Sequence, residues 1–395
     1  MIALAGGDLV LPDGVLRGGT LVIDGDRVVS VEPRAVDRAA GIDVRSAAGL
    51  TIVPGFIDVH VHGVAGTDVL DGAHAVAAVA ARLPRYGVTA FCPTAVACTP
   101  DALETFLDAV ERAHLSPAWG SARVLPAHLE SNFINPAWKG AQPGECLRVF
   151  RAPADEDRGT FSGDDILRVL HARRDGVGIV TLAPELPGGL DLVRLLRDRG
   201  HVVSLGHSGA TYEQTRAAIA AGVSHATHLF NRMTPLTHRE PGAVGAVLES
   251  AAVAAEVICD GFHVHPTIVR LAVDLKGPAR MMAITDGTAA SGLSPGSRAM
   301  LGGRPIVVAP QSAQLEDGTL AGSITTMDRV FRMLVREVGL PLPVAARLCA
   351  TTPADRLHRR RLGRLAVDAA ADLAVLDGAL NVVQTWIAGR RVGEH

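Results

Sequence analysis

His60 and His62 stand one residue apart in the apolar run FIDVHVHG at 56–63. Side chains two residues apart on a strand leave the same face, so a strand here sets both imidazoles beside Asp58. A surface strand turning polar residues to water would read the same way; the sharper alternative is half of a metal site. Other runs along the chain end on similar residue types. PAHLE supplies His128 and Glu130, VVSLGHS supplies His207, and VSHATHLFN supplies His225, His228 and Asn231. VICDGFHVH supplies Asp260 and His263, and MMAITDG supplies Asp286. Nitrogen and carboxylate ligands without thiolates suit zinc, iron or another borderline divalent ion. The set His60, His62, Glu130, His207, His228 and Asp286 exceeds what one tetrahedral ion needs, and matches two ions sharing Glu130 as a bridging carboxylate. A divalent ion lowers the pKa of its water to roughly 7. Asp286 is placed to accept that water's proton and pass it to a leaving group. That chemistry is metal-assisted hydrolysis of a carbonyl compound.

These residues must share one rim for the argument to hold. Short β-rich runs occur at 56–61, 88–92, 124–129, 178–182, 202–206, 224–228, 254–259 and 280–285. Helix-like stretches such as TPDALETFLDAV, DDILRVLHAR and TYEQTRAAIAA separate most of them. Strand–helix alternation implies a parallel sheet. Eight strands in one run fit an α/β fold of the closed (β/α)8 TIM-barrel type, whose active sites gather at the C-terminal strand ends. No GxGxxG follows the first strand, which removes the main support for a dinucleotide fold. Both termini are β-rich and carry Asp-Gly hairpin signals at 13–14, 24–25 and 377–378. The sequence therefore predicts residues 1–54 and 355–395 as one small β-sandwich domain, and 55–354 as the barrel.

The 395 residues are 48% hydrophobic and 20% charged, the balance of a folded chain without disordered bulk. A net charge of −3 gives no electrostatic case for nucleic acid or an anionic membrane. The N-terminus lacks a basic segment before an apolar one, so no secretion signal is expected. The five cysteines are scattered without a CxxC pair, which favours reduced thiols and a cytoplasmic location. A lone histidine after a strand is usually a capping or surface residue. His74, His114, His171, His201, His358 and His395 receive that bland reading. Only convergence on one rim lifts the six candidate ligands above it.

In those motifs the chain resembles the amidohydrolase superfamily, and within it the N-acetylglucosamine-6-phosphate deacetylase family, almost end to end. PGFIDVHVHG resembles the superfamily's first strand, and HLESNFINPAWKGAQ the family's third-strand loop. HLFNRMTPLTHREPGAVGAVL is the most specific match, joined by VICDGFHVHP, ITDGTAASG and GTLAGSITTM. The resemblance implies hydrolysis of the acetamide of N-acetylglucosamine 6-phosphate to glucosamine 6-phosphate and acetate. It implies that Glu130, His207 and His228 hold the ion common to members, and that His60 and His62 match members with a second ion. Asp286 matches the catalytic acid/base, and His263 a substrate contact that polarises the carbonyl. Asn231 matches a phosphate-side contact, and Arg239 an arginine reaching the phosphate of the neighbouring subunit, which implies a homodimer. Arg232 is an additional cation, and His128 joins the expected substrate-binding set.

The sequence departs from the family pattern at Ser131-Asn132, where Gly-Pro is common, at Arg232, where alanine is common, and at Gln142, where histidine is common; the resemblance implies that all of them lie on the substrate side. Many two-metal barrel hydrolases bridge their ions with a lysine after the fourth strand; here that strand ends VTLAPE, and the only lysines are Lys139 and Lys276. The rival readings are an amidohydrolase for a cyclic amide or another N-acyl compound, and a barrel retained as a non-enzymatic scaffold. Ligands at every expected strand end count against the scaffold.

Overall fold

The computed structural model describes residues 1–34, 41–151 and 159–392, so His395 lies outside the described residues. Eight strands of the nine-stranded central sheet make the barrel: β1 Phe56–Val61, β2 Val88–Ala95, β3 Ala127–Glu130, β4 Val177–Leu182, β5 Val202–Leu205, β6 His225–Ala226, β7 Ala254–Ile258 and β8 Met281–Ile284, with the short strand Arg123–Val124 pairing beside β2. Each pairs in parallel with the next. The ends meet through a parallel bridge between Val61 and Gly287. The Asp286 amide donates to His60 O at 3.0 Å and the His62 amide to Gly287 O at 2.7 Å. Closure thus falls on the segment that carries three candidate ligands.

The connecting helices are α1 Ala75–Arg82, α2 Pro100–Leu115, α3 Gly163–Ala172, α4 Gly189–Asp198, α5 Tyr212–Ala221, α6 Gly242–Glu249, α7 Pro266–Lys276 and α8 Met327–Arg336. Two start on capping boxes, Ser162 with Asp165 on α3 and Thr211 with Gln214 on α5. Such reciprocal bonds satisfy amides that have no partner within the helix.

Strand alternation sorts the barrel's side chains into two cores. Phe91, Val180 and Ala283 pack with the helix residues Phe106, Leu192 and Val269. Their neighbours along the same strands, Cys92, Ile179 and Met282, belong to a separate interior cluster. The second cluster is the inside of the barrel, closed below by Ala354 from the helical segment that follows α8. By the same parity, His128, Glu130, His225 and Glu256 flank outward-packed Leu129, Ala226 and Val257 and must point inward.

The two termini form one eight-stranded sheet. The strand Thr51–Pro54 runs parallel to Ile2–Leu11 on one side and antiparallel to Leu373–Leu376 on the other. Its own core includes Leu9, Leu21, Ile52, Leu373 and Trp386. The hairpins lie at the Asp-Gly signals, with Leu11 opposite Gly14 and Asp24 opposite Arg27. Arg123 joins this sheet to the barrel through Asp372 at 2.6 Å.

One element was not foreseen. Arg298–Leu301, Arg304–Val308 and Ala313–Leu315 form a three-stranded antiparallel insert after β8, with its own apolar core. Gly302-Gly303 turns its first hairpin, a dipeptide suited to the positive φ angles such turns require.

Candidate active site

Glu130, the last residue of β3, points into the barrel mouth. Its Oε1 lies 2.7 Å from His207 Nε2 and 2.8 Å from His228 Nε2, and the two ring nitrogens are 3.1 Å apart. His207 and His228 follow β5 and β6 on backbone with φ of 48° and 30°. Left-handed backbone at a non-glycine residue costs on the order of 1–3 kcal/mol and persists where the surroundings enforce it. Gly206 enables that turn, since a Cβ there would stand 2.7 Å from Thr181 Cγ2.

A second triad adjoins the first. His60 Nε2 and His62 Nε2 are 3.2 Å apart, and each lies 3.3 Å from Asp286 Oδ1. The other oxygen of Glu130, Oε2, faces His62 Nε2 at 3.5 Å. Each triad's ligand atoms fall within 4.8 Å of one another, and all six residues are buried. Asp286 also has positive φ, 48°. Gly322 passes against it so closely that a Cβ would stand 2.7 Å from Asp286 O.

The outward ring nitrogens are tied down. His60 Nδ1 meets Glu256 Oε2, His62 Nδ1 the carbonyl of Thr94, and His207 Nδ1 the carbonyl of Trp138, each at 2.9 Å. An ion at the centre would take the Nε2 lone pairs, the hydrogen of each ring then being held on Nδ1 by its acceptor. His228 Nδ1 is buried without a partner. Inward lone pairs beside two carboxylates are a donor set that fits borderline divalent cations. The electrostatics agree. Burial acts to lower the His60 imidazole, and the Asp286 and Glu256 carboxylates outweigh it, pushing it up to about 10. Burial acts to raise Glu130 and Asp286, and the facing imidazoles, His207 for the former and His60 for the latter, hold both low. The site attracts positive charge.

A cleft opens above the triads. Glu130, His207, His228 and Asp286 form its floor; Asn231, Arg232 and His263 line its walls, as does Leu301 from the insert. His263 is aimed by Asp260, which accepts from its ring Nδ1 at 2.7 Å and from its amide at 2.8 Å. Arg232 sits on positive-φ backbone beside Gly140. Arg239 is exposed and outside the lining of this cleft.

Two expectations are revised. His128, read as a substrate contact, lies one strand pleat below Glu130 and does not line the cleft. It is fully buried, with its ring nitrogens bonded to Val59 O at 3.0 Å and Thr181 Oγ1 at 2.7 Å. Ser131 and Asn132 were expected near the substrate. Instead Ser131 donates to Thr181 O, and Asn132 to the carbonyls of Cys98 and Cys146. Gln142 is closer to the chemistry than a wall residue. It donates to Glu130 Oε2, while its Oε1 accepts from the Ala97 amide at 2.8 Å.

Sequence reading missed Glu256. It is fully buried on β7, accepts from His60, and is 2.9 Å from His225 Nε2. A single acid in the apolar run AAVAAEVI, with strand parity pointing it inward, was the available signal.

Comparison with known proteins places this geometry. Residues 51–392 match the amidohydrolase family model. The human N-acetylglucosamine-6-phosphate deacetylase is 35% identical over 98% of this chain and 93% of that protein. The Bacillus subtilis deacetylase is 31% identical over 96% and 94%. Among solved structures, a Mycobacterium smegmatis variant of the same enzyme, in complex with N-acetyl-D-glucosamine-6-phosphate, superposes with a TM-score of 0.87 at 35% identity over 99% of both chains. A closed parallel barrel, polar ligands at its C-terminal rim and end-to-end similarity agree: the chain belongs to the amidohydrolase family, with the N-acetylglucosamine-6-phosphate deacetylases as its relatives.

Proposed function

We propose that this chain hydrolyses the acetamide of N-acetylglucosamine 6-phosphate to glucosamine 6-phosphate and acetate, using one or two divalent ions, zinc or iron. The observation that carries the reading is the convergence of His60, His62, Glu130, His207, His228 and Asp286 at one barrel rim, in a chain whose relatives carry that enzyme name along most of their length. Those six residues would hold the ions, which supply Lewis acidity and lower the pKa of water when bound. Asp286 takes a proton from the attacking water and returns it to the amine as the C–N bond breaks. His263, held by Asp260, presents Nε2 to the cleft and stabilises charge developing on the carbonyl oxygen. Asn231 and Arg232 bind on the phosphate side. The barrel over 55–354 carries the chemistry, and the sheet of 1–54 with 355–395 supports it. Arg239, exposed outside its own cleft, reaches the phosphate in the neighbouring subunit of a homodimer. The five buried free thiols accord with a cytoplasmic enzyme.

The test is acetate release from 6-phosphorylated N-acetyl hexosamines, with and without chelator. Turnover of N-acetylglucosamine 6-phosphate that chelator abolishes and divalent metal restores is the expected result. No turnover of any such hexosamine would move the reading to another N-acyl or cyclic amide. Arginine binds phosphate through a planar fork of donors. Arg239→Ala should therefore depress kcat/KM strongly for the phosphorylated sugar and hardly at all for its unphosphorylated analogue. Equal effects on both would refute the phosphate assignment.

A further inference from the structure

Beneath the ligand residues lies a polar layer that the reaction does not touch. Glu256 lies in it, fully buried between the imidazoles of His60, His128 and His225. Its Oε2 accepts from His60 Nδ1 at 2.9 Å and from the His228 amide at 3.3 Å. Its Oε1 faces His225 Nε2 at 2.9 Å and His128 Nδ1 at 3.6 Å. His128 continues to Thr181, and Thr181 and Ser204 both meet Thr227. The Glu256 backbone takes part as well, its carbonyl accepting from the Leu229 amide at 2.8 Å.

We infer that Glu256 is the positioning residue of the outer cation site: it holds the His60 ring with hydrogen on Nδ1 when a cation is bound, so that Nε2, beside His62 and Asp286, is the atom offered to the cation. The inference rests on the two-ion reading above. His62 and His207 are oriented by backbone carbonyls, which no substitution alters. His60 alone among the outward-tied ligands depends on a side chain. The same oxygen of Glu256 receives the amide of His228, where the backbone turns left-handed. That contact is longer than the one to His60, so the inner site should feel the residue less. Glu256 uses both oxygens in these contacts, one toward His60 and one toward His225, whereas an amide has a single oxygen to offer.

The test is Glu256→Gln, read by Zn²⁺ titration against a chromophoric chelator. Losing an outer-sphere partner typically lowers metal affinity about 10–100-fold. That loss is expected for the second, weaker Zn²⁺ equivalent, with the first equivalent unchanged. An equal fall in both affinities would mark a general packing defect, and no fall in either would remove the orienting role; each overturns the inference. His225→Gln, which touches only the other oxygen of Glu256, should leave the second equivalent in place. Wild-type stoichiometry is read first, and a value of one counts against the two-ion reading itself. Nitrogen NMR of the His60 ring in the Zn²⁺-loaded wild-type protein decides the inference independently of any variant. Hydrogen on Nδ1 supports it, and hydrogen on Nε2 refutes it even if Glu256→Gln fails to fold.

Discussion

Glu130, His207 and His228 come from three different strands, and two of them sit on left-handed backbone just past a strand end. Their ligand atoms close to 2.7–3.1 Å. His60 and His62 come from one strand, where a spacing of two is enough to bring them together, and their triad is looser at 3.2–3.3 Å. The inner half is made by the fold and the outer half largely by local geometry. Glu130 belongs to both, one oxygen facing each half. The difference teaches that the inner triad is assembled from three strands with two ligands on left-handed backbone, whereas the outer one has a local histidine pair that leans on Asp286, its one left-handed residue, and on Glu256 to complete it.

The change that should break both halves at once is Glu130→Gln. It removes the shared charge and replaces one carboxylate oxygen with an amide donor. Turnover should fall beyond the roughly 10²–10⁴-fold expected for loss of a general base, and elemental analysis should find neither ion retained. One ion retained at full occupancy would show that the halves are independent.

Asp286→Asn comes next. It deletes the proton carrier but leaves the inner triad intact, so turnover should drop about 10²–10⁴-fold with the inner ion still bound. A loss below about tenfold would be under that range and would mean another group moves the proton.

How much of this was legible beforehand depends on which physical rule placed each residue. Period-2 alternation made His60 and His62 readable as a pair. Strand–helix alternation made the barrel and the terminal sheet readable, and barrel logic then drew Glu130, His207, His228 and Asp286 to one rim. Pleat depth was not readable at His128: it and Glu130 share a strand face, and only the length of β3 shows that the histidine ends one layer too deep. Glu256 was hidden because an acid inside an apolar strand carries no spacing signal until its imidazole partners arrive from β1 and β6. The insert at 298–315 was hidden because it is short and follows the last barrel strand, where no alternation remains to frame it.

A smaller effect separates the halves directly. His60→Asn should cost the outer ion and lower turnover by about 10–100-fold, by the scale of lost ligand support. His228→Asn should cost the inner ion and do more damage, because the inner triad is the more tightly built. Metal stoichiometry with kcat for both variants checks the ranking. The reverse order, or a silent His60→Asn, would make the outer histidines spectators.

The smallest expected effect concerns Gln142, which touches only the oxygen of Glu130 that faces the outer half. The Ala97 amide donates to its Oε1, so the side-chain amide cannot be turned around without losing that bond. Its Nε2 must therefore donate to Glu130. Gln142→Leu frees Oε2 and leaves the Ala97 amide buried without an acceptor, a loss of about 1–3 kcal/mol. Denaturation should report that loss. Outer-ion affinity should move by less than about tenfold, or ~1.4 kcal/mol, because a carboxylate oxygen keeps a second lone pair when one accepts a hydrogen bond. Inner-ion affinity should not move, since Oε1 keeps both of its imidazole partners. A fall in inner-ion affinity would show that the two oxygens of Glu130 are not separable, and the distinction between the halves would fail at the residue they share.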